Sequence, residues 1–103
     1  NNPRIYFNDN IDDPRDLKNF SDEIKQKFLD GIIVLVCKKN DKVSLVVSIT
    51  SSCQENYNAV DLLKKFVEFL GGKGGGGRSD MAQGGAPFSK KVNELKSFIL
   101  SIL

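Results

Sequence analysis

Gly71-Gly72-Lys73-Gly74-Gly75-Gly76-Gly77-Arg78-Ser79-Asp80-Met81-Ala82-Gln83-Gly84-Gly85 holds eight of the nine glycines in a chain of 103 residues, Gly31 being the ninth. Glycine loses more conformational freedom on folding than any other residue, so a folded chain concentrates it for a reason. Either the backbone needs φ > 0 at several successive positions, or another molecule must approach a backbone without Cβ atoms. Lys73 and Arg78 lie inside the run, and bare N–H groups beside fixed cations make an anion-binding surface. The plain alternative is a flexible linker. Against it, the run is flanked by two amphipathic stretches and ends in Asp80-Met81-Ala82-Gln83, which are not linker residues.

Upstream, Val60, Leu63, Val67 and Leu70 form the core stripe of a helix over residues 59–70, widened by Phe66 and Phe69 and ended by Gly71. Downstream, residues 80–83 are long enough for a short edge strand. Pro87 or Ser89 then opens a last helix with Val92, Leu95, Ile99 and Ile102 inward.

Towards the N-terminus, residues 32–37 are continuously apolar, as in a central strand buried on both faces. A polar turn over residues 38–42 leads to a second strand over residues 43–50, antiparallel to the first. Residues 51–57 read as a loop. Before them, Arg4-Ile5-Tyr6-Phe7 is a strand candidate and residues 8–13 are turn-like. Asp13-Pro14 starts a helix with Asp as N-cap, Pro at the first position and Asp16 favouring the dipole. Its stripe is Leu17, Phe20, Ile24 and Phe28, and Gly31 is its stop. The predicted fold is α/β: a small mixed sheet of three to four strands covered by three helices. The order is β-α-β-β-α-(Gly loop, short β)-α, the first two strands being parallel.

Hydrophobic content of 40% and charged content of 27% are ordinary for one globular domain spanning residues 1–103. No apolar run approaches the ~18 residues of a membrane span, so no membrane partner is expected. The chain starts at Asn1 and its only methionine is Met81, as expected of a piece of a longer protein. Cys37 and Cys53 form no metal-ligand spacing, and Cys37 reads as a small buried hydrophobe in a reducing cytosol. Histidine is absent, which removes the commonest general base and metal ligand. Net charge is +2, unevenly spread: residues 1–63 carry 8 basic and 10 acidic side chains, residues 64–103 carry 7 and 3. A polyanion is drawn to the second part, where the glycines lie.

The glycine run fits neither nucleotide-binding fingerprint. No Lys-Ser or Lys-Thr pair follows it, and it comes after a helix, whereas a dinucleotide-binding turn follows a strand. Asp9, Asp12, Asp13 and Asp16 lack the glycine and terminal glutamate of a calcium loop and read as turn and cap residues. Lys38, Lys39 and Lys42 read as a solvated hairpin tip, with an RNA contact the alternative. Lys64-Lys65 and Lys90-Lys91 flank the glycine stretch on helix faces, where they could form a basic rim along a phosphate backbone. Phe66, Phe69 and Phe98 sit at core spacing, which argues against base stacking on them; Tyr57 is the freer candidate for stacking, though it too reads as a packing residue.

The whole run through Arg78-Ser79-Asp80-Met81-Ala82-Gln83 resembles the C-terminal signature of alanyl-tRNA synthetases, in the globular DHH-associated domain known as C-Ala. Lys42-Val43-Ser44-Leu45-Val46-Val47 resembles the strand that precedes it. Ser79 stands where the family usually has proline, and there is one extra glycine between Lys73 and Arg78. The resemblance implies a non-catalytic module without metal or cofactor; ATP and zinc are implied for other domains of a parent alanine–tRNA ligase. It implies a partner in the elbow of tRNA-Ala, contacts with the parent's other domains, and a possible homodimer. Lys73, Arg78 and the N–H groups of Gly74, Gly75, Gly76 and Gly77 would then meet the RNA, supported by Lys64, Lys65, Lys90 and Lys91. Two alternatives stand beside this. One is a purely structural or dimerising domain of the same enzyme. The other is the substrate-clamping half of a DHH-type phosphoesterase, whose glycine motif ends in a histidine that this chain lacks.

Overall fold

Ile32-Ile33-Val34-Leu35-Val36-Cys37 has six apolar residues in succession, and all six side chains are buried. A strand apolar on both faces needs cover on both, and the rest of the chain supplies it. The structure, a computed structural model, describes residues 3–28 and 30–103. The described strands are β1 (Ile5–Ile11), β2 (Ile32–Lys39), β3 (Lys42–Ile49), β4 (Gly74–Gly77) and β5 (Met81–Pro87). The α-helices are α1 (Leu17–Lys27), α2 (Ala59–Phe69) and α3 (Leu95–Ile102). Across the sheet the order is β1-β2-β3-β5-β4. β1 and β2 are parallel, joined through α1, and the other pairings are antiparallel.

The α/β fold with a mixed sheet and three helices is therefore present, but with five strands rather than three to four. The additional strand comes from the glycine run. Residues 74–77 are not a loop; they pair with β5, Gly74 opposite Gly85 through Gly77 opposite Ala82. The short segment expected at the sheet edge is instead the seven-residue β5, which lies between β3 and the edge strand β4.

Strand alternation sorts the core into two layers. Ile32, Val34 and Val36 of β2, with Val43, Leu45, Val47 and Ile49 of β3, pack against α2 and α3 through Leu63, Phe66, Val67, Leu95 and Ile99. Ile33, Leu35, Cys37 and Val46 face the other way, onto Leu17, Ile24 and Phe28 around α1. α2 lies over β3, β4 and β5, whereas α1 lies mainly over β2 and β3 and reaches β5 only at its Met81 end. Beyond Met81, the α1 side of the β4–β5 hairpin has no helix over it among the described residues.

Several boundaries shift for physical reasons. β1 runs on to Ile11 through residues expected as a turn, with an irregularity between Asn8 and Ile11 where the Asn8 side chain accepts from the Asn10 N–H. Asp13 caps as expected, its carboxylate accepting from the Arg15 N–H, but Pro14–Asp16 is a 3-10 turn and the α-helix starts at Leu17. Phe20 is exposed, and Ser21 takes the inward place, accepting a hydrogen bond from the hydroxyl of Ser48 on β3 at 3.1 Å. Gly31 is not the stop of α1, which closes at an extended Phe28. It is glycine because a Cβ there would strike the Arg4 carbonyl oxygen. The β2–β3 turn is two residues, Asn40 and Asp41, with φ of 56° and 60° and Lys39 opposite Lys42. Asn and Asp tolerate that left-handed conformation.

In α2, Leu62 joins the buried stripe while Val60 and Phe69 are only half-buried. Gly71 ends the helix as expected, at φ 88°, with its N–H and that of Gly72 donating to Glu68 and Val67 carbonyls. Pro87 belongs to β5; Ser89 caps the 3-10 turn Lys90–Glu94 that precedes α3, and Ile102 points to solvent.

The turn of the hairpin is tied to the rest of the fold. Asp80 in its turn meets Arg78 Nε at 3.2 Å and Lys25 Nζ of α1 at 3.6 Å. The Ala59 N–H at the start of α2 donates to the Ser79 carbonyl at 2.8 Å, and the Ile49 N–H to that of Asp80 at 2.8 Å. Desolvation pushes the Asp80 carboxyl up, but the charges of Arg78 and Lys25 and the hydrogen bonds outweigh it, holding the group below its ordinary 3.8. A depressed folded pKa stabilises above the unfolded value, and that contribution is lost as pH falls through the folded one. Thermal melts between pH 5 and pH 2 test this: Asp80→Asn narrows its stability gap to the wild type as pH drops below about 4.

The glycines differ in what the fold demands of them. A Cβ on Gly75 would strike the Gln83 carbonyl oxygen, and one on Gly77 the Met81 carbonyl oxygen. A Cβ on Gly76 meets nothing within 4 Å. In urea denaturation, Gly77→Ala should cost about 1–3 kcal/mol, the range of an overpacked site. Gly76→Ala should be neutral or raise stability by up to about 1 kcal/mol, because it only restricts the unfolded chain.

Candidate nucleic-acid interface

The register of β3, β5 and β4 builds one open surface. Ser44, Gly85 and Gly74 are neighbours across the three strands, and so are Val46, Gln83 and Gly76. These six residues share a face because pairing partners point to the same side of a sheet. Val46 is buried beneath α1, and Met81, on the same face of β5, packs half-buried against that layer. Beyond Met81 the hairpin surface is glycine backbone from which Gln83 rises, with exposed Pro87 at its far end. Beyond Ser44, a cleft of about 520 Å³ opens between the β2–β3 turn and the link from α2 to β4. Asp41, Lys42, Ser44, Lys73, Gly74 and Pro87 are among its lining residues.

Bare backbone offers N–H and C=O groups and a surface that a flat group can approach closely. Cations stand at both ends. Lys42 and Lys73 flank the cleft, and Arg78 stands at the hairpin turn with its guanidinium steered by Asp80. Lys73 and Arg78 are thus separated by the length of β4, roughly 15 Å in an extended strand, and do not share one loop. All three are exposed.

The remaining candidates lie elsewhere. Lys64 and Lys65 project from α2, which packs on the opposite face of the hairpin. Lys90 and Lys91 are in the turn before α3, and the Lys91 ammonium lies 5.9 Å from the centre of the Phe69 ring, which stacks on Phe98 at 4.2 Å. The structure therefore divides the expected basic rim: Lys73, Arg78, Gly74 and Gly76 border one open surface, whereas Lys64, Lys65, Lys90 and Lys91 belong to the α2–α3 layer. Gly75 and Gly77 pair with Gly84 and Ala82, on the side facing α2.

Two residues of this surface are not leading site candidates in the sequence. Lys42 reads there as a hairpin tip, with an RNA contact the alternative, and only the strand order sets it on the same cleft as Lys73. Gln83 was read as part of a signature; strand alternation from buried Ala82 is the signal that places it outward. The thiols offer no competing chemistry. Cys37 and Cys53 are both buried and free, and burial pushes the Cys37 thiol up, away from the reactive thiolate. Asp9 is paired with Lys38 at 3.7 Å and Asp13 with Arg15 at 2.7 Å.

The DHHA1 domain family matches residues 2–103. The alanine–tRNA ligase of Paramagnetospirillum magneticum is 51% identical over 73 residues, 71% of this chain and 8% of that protein. The alanine–tRNA ligase of Ruthia magnifica is 45% identical over 89 residues, 82% of this chain and 10% of that protein. The chain thus spans about a tenth or less of the length of these relatives. A crystal structure of the C-Ala domain from Aquifex aeolicus alanyl-tRNA synthetase superposes with a TM-score of 0.84 at 27% identity, covering 96% of this chain and 89% of that one. By sequence and by fold, the chain belongs to the DHHA1 domain family, in the form of the C-Ala domain of alanyl-tRNA synthetases.

Proposed function

We propose that this chain is the non-catalytic, tRNA-contacting part of an alanine–tRNA ligase, meeting tRNA-Ala at its elbow while other domains of a cytoplasmic parent enzyme perform the ligation. The observation that carries this is the uncovered glycine surface with Lys42, Lys73 and Arg78 at its ends. Folded RNA is recognised through shape, sugar hydroxyls and exposed bases as well as phosphate. A side-chain-free surface admits a bulky, rigid ligand that protruding side chains would hold away. Lys73 and Arg78 contact phosphates on either side of it, and Lys42 joins Lys73. Lys64, Lys65, Lys90 and Lys91, on the other layer, add long-range attraction rather than direct contact.

A second reading has its own support. β4 is an edge strand without side chains, and an exposed sheet edge is a template for another chain. In that reading the hairpin joins two copies, and sedimentation shows a dimer that dissociates on dilution while Lys73→Ala and Arg78→Ala leave tRNA affinity unchanged.

Titrating the chain with tRNA-Ala transcript at several salt concentrations decides between them. The tRNA reading requires affinity that falls with salt, each phosphate contact contributing a slope of about 0.7–0.9 in log K against log salt. Lys73→Ala and Arg78→Ala each reduce the slope by about that amount, and together they weaken binding roughly tenfold. No binding at low salt by the folded chain overturns it.

A further inference from the structure

Gly76 is the one residue of β4 whose glycine the fold does not explain. A Cβ there meets nothing within 4 Å, and its φ lies outside the left-handed range that marks Gly74 and Gly77. Gly75 has the ordinary φ too, but its Cβ would strike the backbone of β5. A strand at an exposed edge favours β-branched or charged residues on its solvent side. A bare position with room for a side chain needs a cause outside the chain.

Its position suggests the cause. Gly76 is paired across the strands with Gln83, and both are exposed. On the other side of Gln83 is Val46, which is buried beneath α1. The next row on the same face is Ser44, Gly85 and Gly74. Gln83 is thus a single amide with half-buried Met81 and buried Val46 on its inner sides and bare Gly85 and Gly76 on its outer ones, and Gly76 keeps access to it open from the sheet edge. The cations lie at the ends of the surface and Gln83 lies between them. An amide carries both a donor and an acceptor and no charge. It is suited to a neutral hydrogen-bonding group and poorly suited to attract phosphate.

We infer that Gln83 is the specificity-determining residue of this surface. Its amide hydrogen-bonds a neutral group of the bound nucleotide, a ribose 2′-hydroxyl or a base edge, over a floor that Gly76 keeps clear. This rests on the tRNA reading above and deepens it: Lys73 and Arg78 supply charge, which any polyanion satisfies, and Gln83 supplies discrimination.

The test compares the wild-type chain with Gln83→Ala, Gly76→Val and Lys73→Ala, using tRNA-Ala transcript and heparin as the two ligands. Heparin is a polyanion without nucleotides. Gln83→Ala weakens tRNA binding about fivefold to tenfold with the salt slope unchanged, and leaves heparin binding unchanged. Lys73→Ala weakens both and flattens the slope. Gly76→Val, which has room to fold and whose melting temperature verifies that it does, weakens tRNA binding at least as much as Gln83→Ala. A transcript with 2′-deoxyribose in its D and T loops identifies the group: the Gln83→Ala effect vanishes on it if the contact is to the hydroxyl and persists if it is to a base edge. tRNA binding that is insensitive to Gln83→Ala, or an equal loss for heparin, overturns this inference and leaves the tRNA reading standing. Absence of wild-type tRNA binding overturns both.

Discussion

Close approach of two backbones in the glycine hairpin is the constraint on which the architecture depends. Gly75 and Gly77 sit where a Cβ would overlap the opposite strand's carbonyl oxygens. Gly84 lies where Leu63 of α2 leaves little space. This closeness lets α2 settle directly on β4 and β5, so that Leu63, Phe66 and Val67 share one buried layer with Ala82 and Ala86. The small residues on β5 and the large ones on α2 are two halves of one packing solution. Larger side chains on the hairpin would lift the helix and open the layer beneath it.

The same hairpin has two faces with different duties. Towards α2, its glycines and alanines are structural, required by contact. Away from α2, the described residues leave Gly74, Gly76, Gln83 and Gly85 uncovered, because α1 reaches the hairpin only at its Met81 and Asp80 end. Asp80 joins the two by pairing with Lys25 of α1 and Arg78 of the turn, which anchors the hairpin beside α1 and fixes the direction of the arginine. Charge, exposure and bare backbone meet on the open side, and the proposed tRNA contact rests on that coincidence.

Much of the fold was legible in local pattern. Six apolar residues in succession announced β2, the stripe through Leu63, Val67 and Leu70 announced α2, and Asp13 and Ser89 were visible as caps. Phe20 and Ile102 failed for one reason: helical spacing says which residues share a stripe but not where the covering layer ends. Ser21 is buried in place of Phe20 because Ser48 offers it a hydroxyl partner, a contact between residues 27 positions apart that no local window contains. The glycine run failed as a strand because strand propensity is read from side chains, and here pairing is made by backbone alone.

By itself, the sequence determined the element order apart from β4, the main hydrophobic stripes and the family, the last through the ordered tail from Arg78 to Gln83 as much as through the glycines. Those properties reside in residue identity and spacing along the chain. Tertiary structure alone decided which glycines serve packing and which serve an open surface, because that depends on atoms contributed by β5 and α2. It also separated Lys73 from Arg78 by the length of a strand, brought Lys42 beside Lys73, and left Gln83 standing opposite Gly76. Each of these is a consequence of strand register, and register is set by the global fit of the hydrophobic faces rather than by any short stretch of residues.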